Sequence, residues 1–74
     1  MRVFINNTGL TIFSGARLSE IILAYSGRSF KMLKNGHLNI YDRFGNLTEP
    51  DGPSFDGQRF FLKKKPRKKL IIDN

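Results

Sequence analysis

Apolar and polar residues trade places with a period of two near both ends of this chain, and with a period of three to four in one stretch between. Arg2-Val3-Phe4-Ile5-Asn6 alternates and predicts a strand that turns at Asn7-Thr8-Gly9 and returns as Leu10-Thr11-Ile12-Phe13. Asn and Gly reach positive φ at little cost, which suits a tight hairpin. Val3 and Ile5 share one face of the first strand. Because the other face carries Arg2 beside Phe4, Val3 and Ile5 are expected to look into the core. From Arg17 to Ser26 the period changes: Leu18, Ile21, Ile22 and Tyr25 fall on one helical stripe, and Gly27 stands where such a helix stops. The stripe reads as core packing.

Phe30-Lys31-Met32-Leu33-Lys34 predicts a short third strand, ended by the turn dipeptide Asn35-Gly36 and followed by a return through His37-Leu38-Asn39-Ile40-Tyr41. Residues 42–53 are dominated by turn formers (Gly45, Asn46, Pro50, Asp51, Gly52, Pro53), so a long ordered connection is expected there, with a short strand near Leu47. The last strand is the plainest. After Pro53-Ser54-Phe55, an Asp56-Gly57 turn releases Gln58-Arg59-Phe60-Phe61-Leu62, and the strand runs to Lys63 or Lys64. Alternation points Phe60 and Leu62 inward, beneath Ile21 and Ile22, and sets Arg59, Phe61 and Lys63 on the opposite face.

Strands, then a helix, then strands ending in this aromatic run make an α+β layout, with one helix packed across a four- to five-stranded mixed sheet. The first two strands around Val3-Phe4-Ile5-Asn6, the helix with Leu18, Ile21 and Ile22, and Phe55-Asp56-Gly57-Gln58 leading into the final strand resemble the β-grasp, or ubiquitin-like, fold. Within it they resemble the ThiS/MoaD-like sulfur carriers and the TGS and soluble-ligand-binding β-grasp domains, over about residues 1–64. The resemblance implies that the first and last strands lie side by side, in parallel, at the centre of the sheet. Sulfur carriers act through a C-terminal Gly-Gly. This chain has no Gly-Gly pair and ends Ile71-Ile72-Asp73-Asn74, so no position here matches that motif and a carrier role is the least supported.

Seventy-four residues allow one domain, and with no cysteine its stability must come from one small core. No apolar run approaches the roughly 18 residues of a membrane span, and a cytoplasmic protein is expected. The net charge of +7 is uneven. Residues 1–62 carry seven basic against five acidic groups, a net of +2, whereas residues 63–74 carry six basic groups against Asp73, a net of +5. The division expected is a domain over 1–64 and a basic tail over 65–74.

Candidate chemistry changes this picture little. His37 is the only histidine and has no visible partner for acid–base or metal work. Asp42, Asn46, Thr48, Glu49 and Asp51 gather oxygens in one segment without the spacing of a calcium loop, and Gly45, Gly52 and Gly57 are too scattered to cradle phosphate. No catalytic, cofactor or metal residue is therefore assigned, and the chain is not expected to be an enzyme. Binding is the expectation. Arg2, Phe4, Arg59, Phe61 and Lys63 would share the sheet face away from the helix, and Lys64, Lys65, Arg67, Lys68 and Lys69 extend their charge. A non-catalytic adaptor for a protein partner is the leading reading. RNA or other nucleic acid, held by the basic tail with Phe4 and Phe61, is the alternative. The loop 42–53 or Leu70 to Ile72 could instead cover the face.

Overall fold

A computed structural model describes residues 1–65. In chain order they form β1 (Arg2–Ile5), β2 (Thr8–Thr11), α1 (Leu18–Tyr25), α2 (Gly27–Lys34), β3 (Leu38–Asp42) and β4 (Arg59–Lys64). The architecture is α+β: one mixed four-stranded sheet of order β2-β1-β4-β3 carries both helices on one face. Strands β1 and β4 run parallel in the middle, and β2 and β3 pair antiparallel outside them.

Alternation sets the faces. Val3 and Ile5 of β1, Ile40 of β3 and Phe60 of β4 are buried on the helix side, in one cluster with Leu18, Ile21 and Ile22 of α1, and Leu38 of β3 is buried on the same face. Leu62 packs half-buried against the same cluster. Each fully buried aliphatic side chain contributes about 1.5–3 kcal/mol of transfer free energy, so this one cluster supplies most of what a chain of this size has available.

The hairpin turn falls one residue earlier than expected. Asn6 and Asn7 occupy it with φ of 48° and 67°, the pair of left-handed residues that a two-residue turn between twisted strands requires, and Thr8 already pairs with Ile5. Gly9 is thereby part of β2 rather than of the turn.

The third strand expected at Phe30–Lys34 is α2, so among the described residues there are two helices and not one, and β3 has no hairpin partner before it. Three local features decide this. Ser26 is extended (φ −163°, ψ 119°), which ends α1, and its hydroxyl accepts the Ser29 N–H at 3.1 Å, which starts α2. Gly27, expected to end α1, opens α2 instead. Phe30 and Leu33, three apart, both reach the core from a helix, whereas a strand would have sent them to opposite faces. Asn35-Gly36 is the stop of α2 and not a hairpin turn. Gly36 takes φ 76°, its N–H is accepted by Leu33 O at 3.1 Å, and the His37 N–H is accepted by Met32 O at 2.8 Å. That pairing is a Schellman motif.

Residues 43–58 connect β3 to β4 as an ordered loop. Near Leu47 the expected short strand is a single bridge to Tyr41. Further on, Pro50 O and Gly52 O accept the N–H groups of Ser19 and Leu18 at 2.9 and 3.3 Å, satisfying two of the orphan donors at the start of α1. Glu20 accepts the Arg17 N–H at 2.9 Å. Much of the loop is thus drawn to the helix side, and no described helix is long and apolar enough to cross a membrane.

Candidate functional site

The face of the sheet away from the helices is built by the remaining alternate positions: Gly9 and Thr11 of β2, Arg2 and Phe4 of β1, Arg59, Phe61 and Lys63 of β4, and Asn39 and Tyr41 of β3. None of these positions is acidic. The parallel register sets Phe4 directly beside Arg59, and the antiparallel one sets Tyr41 opposite Phe61 and Asn39 opposite Lys63. The five residues expected to share this face do share it.

Phe4 is the centre of the cationic half. The Arg59 guanidinium carbon lies 4.1 Å from its ring centre and that of Arg2 lies 5.6 Å away. Such stacks are worth about 0.5–1 kcal/mol at exposed sites, and they hold a guanidinium flat with its N–H groups free at the edges. Gly9 makes room for this. A Cβ there would lie 2.7 Å from Arg2 Nη2 and 2.9 Å from Arg2 Nε, so the guanidinium lies across the bare backbone of β2. The backbone of Arg2 is fixed as well: its N–H donates to Asp56 Oδ1 at 2.7 Å, and its carbonyl accepts the Gly57 N–H at 2.7 Å. The Asp56-Gly57 turn thus anchors the start of β1 while it launches β4.

The aromatic half lies over β3 and β4. Tyr41 and Phe61 are half-buried, the Lys63 ammonium is 5.9 Å from the Tyr41 ring centre, and the Tyr41 hydroxyl accepts a hydrogen bond from Asn39 Nδ2 at 3.2 Å. Beyond the end of β3, Arg43 lies over Phe44 at 4.7 Å. Asp42 holds that turn. Its Oδ1 accepts the N–H groups of Phe44 and Asn46, each at 2.9 Å, and its Oδ2 accepts Asn46 Nδ2 at 3.4 Å. These donors, the Asn46 backbone N–H first, keep the Asp42 carboxyl below its ordinary pKa against a lesser opposing effect of desolvation.

Lys64 and Lys65 are exposed but do not join this patch. Alternation turns Lys64 to the helix side of the sheet, and both lysines lie by His37 and Met32 at the end of α2. Arg67, Lys68 and Lys69 lie outside the described residues, as does Leu70 to Ile72. Tyr41, Arg43 and Asn39 were not assigned from sequence. Tyr41 and Asn39 were within reach of the same alternation that placed Phe61, because an inward Leu38 and Ile40 send their neighbours outward. The exposed Phe44 (73%) and Phe55 (64%) also went unassigned. Both are isolated apolar residues in turn-forming segments with no periodic partner, a weak signal but a readable one.

Among the described residues no three His, Cys, Asp or Glu side chains gather as a metal site. No family model, no curated protein and no solved structure matches this chain.

Proposed function

We propose that the chain is a non-catalytic, cytoplasmic adaptor module of the β-grasp kind, which docks an acidic protein partner on the open face of its sheet. The β-grasp reading is supported by the adjacent, parallel first and last strands and by the helices on one face alone. One observation carries the binding reading: Arg59 stacks on Phe4 at 4.1 Å in a face whose alternate positions include no carboxylate. Guanidinium groups already held flat lose little freedom on meeting a carboxylate, and Arg, Tyr and Phe are the side chains that dominate the centres of protein interfaces.

Single-stranded nucleic acid is the second reading, favoured by the net charge of +7 and by rings interleaved with cations. An isotope-edited titration of the full chain separates the two, with poly-glutamate and single-stranded oligo-uridine as probes at low and high salt. The adaptor reading expects shifts at Phe4, Arg59 and Phe61 with poly-glutamate. A response to oligo-uridine alone, weakening steeply with salt, replaces it with the second reading. Silence at all three residues with both probes removes the open face as a binding site.

A further inference from the structure

On the open face, β3, β4 and the turn after β3 enclose a shallow hollow of about 470 Å³, within the roughly 300–1,000 Å³ typical of small ligand sites. Its floor is the cross-strand pair Tyr41 and Phe61, and its rim carries Arg43 and Lys63. We infer that this hollow is the pocket of the open face that receives an aromatic side chain flanked by carboxylates, presented by an acidic segment of the protein partner. The inference rests on the adaptor reading and adds to it where the partner's anchor sits and what it is.

Three features argue for it. The floor is held in place, since the Tyr41 hydroxyl accepts from Asn39 Nδ2 and its backbone lies in a paired strand. Gly45 closes one side without a side chain, at φ 82°, and the space where a Cβ would stand is empty. Asp42 also lines the hollow, its oxygens held by Phe44 and Asn46 of its own turn, and against its single negative charge the lining sets the two cations Arg43 and Lys63, so the charge there is positive on balance. A bare hydrocarbon would leave those cations unpaired, and a bare anion would leave the two rings in water. A ring with neighbouring carboxylates answers both.

The test uses the full chain, isotope-labelled. The probes are an eight-residue peptide with one phenylalanine among glutamates and aspartates, the same peptide with alanine at that place, and single-stranded oligo-uridine. Expected are shifts at Tyr41, Gly45 and Phe61 with the phenylalanine peptide, and binding about tenfold weaker with the alanine peptide. Tyr41→Ala should weaken the first peptide about tenfold, and Arg43→Ala, on an exposed turn where folding is not at stake, about fivefold. Shifts confined to Phe4 and Arg59 overturn the hollow and leave the adaptor reading standing. Equal binding of the two peptides overturns the hollow too, as does oligo-uridine shifting it when the phenylalanine peptide does not. No shift with any probe overturns both.

Discussion

Asn6 and Leu62 stand 56 residues apart in the chain, and the Asn6 side-chain oxygen accepts the Leu62 N–H at 3.0 Å. The bond continues the parallel ladder past the end of β1, after Phe4 N–H to Gln58 O and Asn6 N–H to Phe60 O, each at 2.9 Å. The same residue holds φ 48° in the hairpin turn. One asparagine therefore sets both the register of β1 on β2 and its register on β4.

These two roles separate by mutation. Asn6→Gly keeps the left-handed backbone and removes the acceptor, so it should cost about 1 kcal/mol, the net worth of one hydrogen bond plus the unpaired N–H. Asn6→Ala loses both and should cost about 2 kcal/mol. Urea unfolding monitored by circular dichroism reads the difference. An Asn6→Gly protein as stable as the parent would show that the Leu62 bond contributes nothing.

Phe60 and Phe61 are neighbours with opposite fates, one 4% exposed under the helices and the other half-buried on the open face. Phe60→Ala should cost about 3–5 kcal/mol, enough to unfold much of a domain this small, whereas Phe61→Ala should cost under about 1.5 kcal/mol and leave the spectrum of the core unchanged. Equal losses from the two substitutions would overturn the assigned faces.

The elements with an unambiguous period were legible in the residues alone. Leu18, Ile21 and Ile22 could only be the buried stripe of a helix, and alternation from Val3 and Ile5 and from Phe60 oriented both central strands correctly, which placed Arg2, Phe4, Arg59, Phe61 and Lys63 together. Residues 27–34 were not legible by the same means. Five residues with apolar side chains at 30, 32 and 33 fit a short strand as well as a helix, and Asn35-Gly36 closes either. The choice was made by Ser26, an N-cap hidden because it also ends the preceding helix, and by a core that takes Phe30 and Leu33 from one side. The hollow was illegible for another reason: Arg43 and Gly45 reach it through a turn whose course depends on where the Asp42 carboxylate finds its donors.

That helix–helix junction makes its own prediction. Ser26→Ala removes the cap of α2 and should cost about 1 kcal/mol, and Gly36→Ala forces a Cβ into the left-handed region at the other end for about the same. The sites are at opposite ends of α2 without shared partners, so the double variant should lose about the sum. Hydrogen exchange of the amides between Phe30 and Lys34 should speed in each. Exchange faster elsewhere but unchanged in this stretch would mean that α2 does not depend on its ends.

The Asp42 turn should respond to acid. Hydrogen bonds from Asn46 and Phe44 favour the carboxylate and lower its pKa in the folded chain. The sign follows: the turn's stabilisation by Asp42 is complete above the ordinary aspartate value of about 3.9 and is lost as the pH falls through the lower, folded-state value. A carboxyl carbon titration by NMR should therefore place Asp42 below 3.9, as an order-of-magnitude reference, with the Phe44 and Asn46 amides moving at the same midpoint. Asp42→Asn should abolish that shared transition while leaving the rest of the spectrum in place, since the turn lies at the edge of the sheet. A midpoint at or above the ordinary value, or amides that ignore it, would mean that the Asp42 carboxylate does not hold the turn that carries Arg43.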